Sequence, residues 1–189
     1  MHNLTTFPFP FKRYLYIKMH HQAVVLFSMM RSGSTEFAQE LAHEMNYTFL
    51  NEAFNFLPKN MSHVKSNPSN YIRQLTSKEN VVLKLFNRHT TTISKIDACN
   101  VVLERKNIDN QWCSLINAKK FQDWTSGKRR NCSIPSPKYF TESHNNWYKY
   151  IFKTLTNYLY ITFDDVVYNR NETILRSKAY CLSKLLLHK

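Results

Sequence analysis

The chain of 189 residues contains only two glycines, Gly33 and Gly127. A Walker A loop needs GxxxxGK[ST], a glycine-bounded turn whose lysine reaches the terminal phosphates. Ser28 stands five residues before Gly33 and Ser34, not lysine, follows it, so an ATPase or kinase of the usual kind is disfavoured. The four cysteines, Cys99, Cys113, Cys132 and Cys181, form no CxxC pair and no spacing that suits zinc. Cys99 and Cys113 fall inside expected regular elements and read as buried small hydrophobes. No apolar run is long enough to span a bilayer, and the first residues lack the apolar stretch of a secretory leader. A reduced, cytoplasmic chain is therefore expected. The sequons at Asn3, Asn46, Asn60, Asn131 and Asn171 read as chance in an Asn-rich sequence. Internal repeats and long low-complexity linkers are also lacking.

Acidic residues are scarce. Thirteen of them face 26 lysines and arginines, for a formal charge of +13, which favours anionic partners without choosing among them. The basic residues are dispersed, as Lys59, Lys65, Arg73, Lys84 and Arg88 illustrate, with short clusters such as "GKRR" at 127–130. No RNP-like or zinc-finger motif accompanies them, so a nucleic-acid partner is disfavoured and a non-catalytic basic nucleic-acid-binding module is the weaker rival. Hydrophobic residues at 43% and aromatics at 14% mark a chain that folds around a core of its own.

What is present is an alternation. Residues 1–20, with Pro8 and Pro10, read as an N-terminal arm, and residues 21–189 as a single domain. Five apolar runs are rich in β-formers: "AVVLF" (23–27), "YTFL" (47–50), "VVLKLF" (81–86), "NVVLE" (100–104) and "YLYITF" (158–163). Their continuous apolarity suits strands buried on both faces of a parallel sheet. Helical spacing lies between them, over Ser34–Met45, Ile108–Trp124, Trp147–Leu155 and Glu172–Leu187. The pattern predicts an open α/β sheet with helices on both sides, with "NCSIPSPKYF" (131–140) as a loop over the site.

The first strand runs into "SMMRSGST" and then directly into a helix. Free amides at a helix start point outward and the helix dipole adds partial positive charge, which suits an anion. Gly33 lets the backbone approach an oxyanion, Ser32, Ser34 and Thr35 add hydroxyls, and Arg31 adds a planar cationic fork. A serine or threonine N-cap would account for the hydroxyls but not for the arginine.

"FSMMRSGST" followed by a helix resembles the 5′-phosphosulfate loop of sulfotransferases, in the arginine-bearing form of the carbohydrate and bacterial glycolipid branches. "VVLERKNIDNQWCSLINAKKFQDW" (101–124) resembles their 3′-phosphate signature, with Arg105 ending a strand, Ser114 nine residues on in a helix, and Ala118 and Trp124 downstream. An arginine and a helix-borne hydroxyl can grip one phosphate from two sides. "FLNEAFN" (49–55) resembles the glycolipid branch's "GEPFN"-like stretch, with Asn51 and Ala53 in place of Gly and Pro. "YITFDDVVYN" is similar to the family's late "YEDLV–NP" segment, read as structural, with Asp164 or Asp165 tying down loops and Leu175, Leu182 and Leu186 packing the closing helix on the sheet.

The resemblance spans roughly residues 23–187. It implies a P-loop-like open parallel sheet of about five strands with helices on both faces. It also implies an enzyme that uses 3′-phosphoadenosine 5′-phosphosulfate (PAPS), releases 3′,5′-diphosphoadenosine and needs no metal. Arg31, Ser32, Gly33, Ser34 and Thr35 would hold the phosphosulfate, Arg105 and Ser114 the 3′-phosphate, with Arg31 and Glu52 catalytic and His89 the next candidate base. The acceptor would be a small molecule, a sugar or a glycolipid. The chain is short for the family, so the acceptor pocket is expected to be open or completed by a partner subunit, with a homo-oligomer possible. The rival enzyme is a degenerate P-loop kinase or nucleotide-binding relative.

Overall fold

The computed structural model describes residues 22–51, 68–77, 79–86, 98–122 and 134–187. Glu52, His89, Trp124, Cys132 and the expected arm at 1–20 lie outside them. Five strands, β1 (Ala23–Ser28), β2 (Thr48–Leu50), β3 (Val81–Phe86), β4 (Cys99–Glu104) and β5 (Leu159–Thr162), form one sheet in the order β2-β3-β1-β4-β5. Every pairing is parallel. β1 and β3 are buried along their whole length, the burial that their apolar runs predict.

The helices are α1 (Ser34–Met45), α2 (Pro68–Leu75), α3 (Ile108–Phe121), α4 (Lys138–Thr154), α5 (Phe163–Tyr168) and α6 (Arg170–Leu187). Alternate strand residues divide the interior into two layers. Val25, Phe27, Leu83 and Val102 meet Ile72, Leu115, Trp147 and Ile151, from α2, α3 and α4. Val24, Leu26, Val82 and Leu103 meet Phe37, Leu41, Val166 and Ile174, from α1, α5 and α6. Helices therefore cover both faces, as the alternation predicts. After β1 the chain leaves towards β2, and after β4 it leaves towards β5, so the carboxyl ends of β1 and β4 flank a topological switch point.

Three expectations are corrected here. The helix placed at Trp147–Leu155 begins at Lys138, inside the stretch read as a loop. Pro137 sits at its N-cap, and Phe140, His144, Trp147, Tyr148 and Ile151 form one buried stripe that a histidine disguises. Phe163, assigned to the last strand, opens α5 instead, because Thr162 and Asp165 form a reciprocal capping box. Leu175 and Leu182 do not pack α6 on the sheet. They are 58% and 41% exposed, and Thr173, Ile174, Ser177 and Cys181 are buried in their place.

The cysteine reading is corrected as well. Cys99, in β4, and Cys181, in α6, are disulfide-bonded with Cα atoms 5.3 Å apart. Cys113 is disulfide-bonded too. Among the described residues there is no free cysteine. They are buried as expected, but as cross-links and not as reduced apolar side chains. No helix among the described residues is long and apolar enough to cross a membrane.

Candidate functional site

The turn between β1 and α1 is built from two left-handed residues, Arg31 at φ 63° and Gly33 at φ 80°. Gly33 is the N-cap of α1, and no side chain caps that helix. Capping therefore does not explain the three hydroxyls. Alternating left-handed residues turn successive amides towards one side, the geometry of an anion-binding nest. The amides of the first turn of α1 also lack intrahelical partners by construction.

The carbonyls at the end of β1 and in the turn are held by side chains from distant parts of the chain. Trp147 Nε1 donates to the Ser28 carbonyl at 3.2 Å, and Gln111 Nε2 donates to the Met30 carbonyl at 2.6 Å. Arg105 Nη1 donates to the Arg31 carbonyl at 3.1 Å. The Tyr148 hydroxyl donates to the Leu103 carbonyl at 2.7 Å and accepts from the Met29 amide at 3.3 Å, which ties the ends of β4 and β1 together. Burial holds that phenol far above the ordinary tyrosine range. Ser32 is fully buried, and its Oγ has no hydrogen-bond partner among the described residues. A buried hydroxyl in that state normally has a partner, and an anion in the nest would supply one.

Arg105 directly follows β4 and Ser114 lies in α3, whose start is fixed by Asn107 accepting from the Asn110 amide. Arg31 Nε donates to Ser114 Oγ at 3.0 Å. The residues expected at a 5′ and at a 3′ anionic group therefore touch, across the switch point between β1 and β4. Arg105 is also stacked, with its guanidinium carbon 4.3 Å from the centre of the Phe163 ring.

That ring changes the account of Gly33. A Cβ added there would lie 2.9 Å from Cδ2 and Cε2 of Phe163, closer than such atoms pack. Gly33 is needed for its left-handed φ and for the approach of Phe163, whatever else approaches it. Gly33→Ala should destabilise the fold by about 1–2 kcal/mol through left-handed strain, with more if the ring cannot shift. Denaturant unfolding measures this, and an unchanged midpoint would show that the loop relaxes freely.

One candidate site residue was missed in the sequence. Lys84 lies in the middle of β3 at 0% exposure and donates from Nζ to Thr35 Oγ1 at 2.7 Å. A buried ammonium is costly unless anions or dipoles compensate it. The signal was present as a single lysine inside "VVLKLF", a strand buried on both faces. The loop has no lysine of its own, yet a lysine from the neighbouring strand stands at the first turn of α1.

Beside Arg105 a cleft of about 430 Å³ opens, lined by Lys106, Asn107, Ile108, Asp109, Ser136 and Thr141. The backbone amide and the hydroxyl of Ser136 both donate to Asp109 at 2.7 Å, and these bonds hold its carboxyl below the usual aspartate range. The Tyr160 hydroxyl donates to Glu104; burial first and that bond second raise its pKa above the ordinary range. Among the described residues no group of three or more His, Cys, Asp or Glu side chains is placed to hold a metal ion.

No protein-family model matches the chain, and no curated protein matches it. Among solved structures, it is similar to shikimate kinase from Aquifex aeolicus, with 16% identity, 82% of this chain and 95% of that one covered, and a TM-score of 0.47. A shikimate kinase from Bacteroides thetaiotaomicron matches at 10% identity over 84% and 97%, with a TM-score of 0.47. A gluconokinase from Sinorhizobium meliloti matches at 11% identity over 88% and 93%, with a TM-score of 0.41. Likeness at this level concerns the path of the chain and not its chemistry.

Proposed function

We propose that the protein is a sulfotransferase whose donor is PAPS, bound across the carboxyl ends of β1 and β4. The observation that carries this reading is the joined set of Arg31, Ser114 and Arg105, with Arg31 Nε on Ser114 Oγ at 3.0 Å and Arg105 on the Arg31 carbonyl at 3.1 Å. Two permanent cations and a hydroxyl at one switch point suit a nucleotide with anionic groups on both its 5′ and 3′ positions. The residues fit that group. The left-handed turn, the side-chain-held carbonyls and the unpartnered Ser32 Oγ form a cradle for a phosphosulfate.

When bound, the donor supplies an activated sulfuryl group. The chain's own part is alignment and charge stabilisation, which dominate such transfers. Arg31, Ser32, Ser34, Thr35 and the amides around Gly33 bind and orient the 5′ end. Lys84 holds Thr35 and adds positive charge below it. Arg105 and Ser114 bind the 3′ end. Glu52 follows β2 in the chain and is proposed to take the proton from the acceptor hydroxyl, so Glu52→Gln should lower kcat on the order of 10²-fold. Unaltered turnover in that variant would dismiss it as the base. The acceptor is proposed to be a sugar, a glycolipid or another small hydroxyl compound.

A second reading, phosphoryl transfer from a magnesium nucleotide, is favoured by one feature. Lys84 and the Thr35 hydroxyl together resemble, in chemistry, the lysine and hydroxyl that hold a triphosphate and its metal. The two readings separate in a melting assay. 3′,5′-Diphosphoadenosine at a hundredfold excess over its Kd should add about 2.7 kcal/mol of stability. Equal or greater stabilisation by ATP with magnesium would reverse the choice.

A further inference from the structure

We infer that Asn46 and Asn171 are acceptors of N-linked oligosaccharide, and that the chain matures in an oxidising compartment where such transfer occurs. The inference does not depend on the donor assignment above. Two independent observations carry it. The first is covalent: Cys99–Cys181 joins β4 to α6 inside the core, and Cys113 is also in a disulfide. Outside extreme thermophiles, bonds of that structural kind persist in secretory and extracellular compartments and are rare in the cytosol. Each forms by exchange with a disulfide oxidant, which takes up the two electrons and two protons of the thiol pair. The second is positional. Asn46-Tyr47-Thr48 and Asn171-Glu172-Thr173 are acceptor sequons, and both asparagines are exposed. Neither side-chain amide has a hydrogen-bond partner among the described residues.

The two sites differ in a way that can be tested. Asn46 is the left-handed C-cap of α1, φ 55°, and the hydroxyl of its sequon, Thr48, is exposed on an edge strand, where it donates to the carboxylate of Glu79 at the surface. It lies a full helix away from the anion cradle, about 18 Å for the 12 residues of α1. Asn171 is the second residue of α6 and lines a groove shared with Glu40, His43 and Leu175. Its sequon threonine, Thr173, is 2% exposed and donates to the Asp165 carbonyl at 3.1 Å. Asn171 can therefore react only before α5 and α6 pack, whereas Asn46 stays reachable in the folded chain. A sugar on Asn171 would lie over Leu175, one turn further on the same helix face and 58% exposed. In the reaction the asparagine Nδ2 attacks C1 of a lipid diphosphate-linked oligosaccharide. The N–C1 bond forms, the C1–O bond to diphosphate breaks, the lipid diphosphate leaves, and the amide proton passes to a base of the transferase.

The experiment uses the full chain, produced in eukaryotic cells behind a cleavable secretory leader and, in parallel, without one. Peptide mapping after enzymatic deglycosylation in heavy-oxygen water marks each modified asparagine as aspartate, and a non-reducing map reads Cys99–Cys181. The leader-bearing product should carry sugar at Asn46 and Asn171, contain the disulfide, and unfold in a single cooperative transition. Asn46→Gln and Asn171→Gln should each remove one glycan. The purified folded product of the leaderless arm, offered donor and transferase, should accept sugar at Asn46 alone. Disulfide-intact secreted protein without sugar at either asparagine overturns the inference. Sugar confined to misfolded, aggregated chain overturns it equally, and modification of one site alone overturns it for the other.

Discussion

Arg105→Ala is expected to weaken binding of 3′,5′-diphosphoadenosine by on the order of 30–1000-fold, about 2–4 kcal/mol. Two described interactions and one proposed contact end with that side chain. The Arg31 carbonyl loses its donor, the Phe163 ring loses the cation stacked on it at 4.3 Å, and the proposed contact to the 3′-phosphate disappears. The first two act in the ligand-free protein and together should cost about 1–2 kcal/mol of stability. The third is visible only as a difference between ligands. Adenosine 5′-monophosphate lacks the 3′-phosphate, so titration calorimetry should show a much smaller loss for it. Equal losses for the two nucleotides would make Arg105 a brace of the Arg31 backbone and end its assignment to the 3′-phosphate.

Removing the Cys99–Cys181 cross-link should have a comparable effect on folding. The bond closes a segment of 82 residues, for which the loss of unfolded-chain entropy is worth about 4–5 kcal/mol in the simplest account. For a chain of this size that corresponds to a fall in Tm of roughly 8–20 °C. The double variant Cys99→Ala, Cys181→Ala should show it in calorimetry. Intact protein in mild reductant should not, because the two residues are 1% and 0% exposed and the thiolate has no path to them while α6 is in place. Reduction should then proceed at the rate at which α6 opens. A Tm in the double variant within a degree or two of the native value would mean that the unfolded chain is already compact.

The strands were legible because this sheet is buried on both faces, so apolarity alone marks them. "VVLKLF" matches β3 end to end, and "AVVLF" is β1 without its final serine. Arg31, Gly33, Arg105 and Ser114 were legible as candidates, since each stands just after a strand or in the helix that follows. Their mutual arrangement was not. The spacing of Arg105 and Ser114 says nothing about Arg31 Nε reaching Ser114 Oγ, which depends on the β1–β4 register. Lys84 was hidden among 26 basic residues until its complete burial singled it out. The fit of Phe163 against Gly33 is a contact between residues 130 positions apart, and no local pattern encodes it. The cysteine pairing likewise depends on where α6 lies, and spacing without a fold leaves several pairings open.

The anchors of the β1–α1 turn lie far along the chain. Trp147 and Tyr148 stand 119 positions beyond the residues they hold, Gln111 81 and Arg105 74. A nascent chain that has released only β1 and α1 thus carries the motif without its shape. The cradle is completed only when α4 docks, so anion binding should switch on late in folding and as one step. The high sequence separation of these contacts also points to slow acquisition of the site compared with a helical bundle of equal size. An N-terminal fragment ending before Lys138 should bind no nucleotide, however much of its own secondary structure it forms. Occupancy of this turn is in effect a report on whether the whole domain has closed.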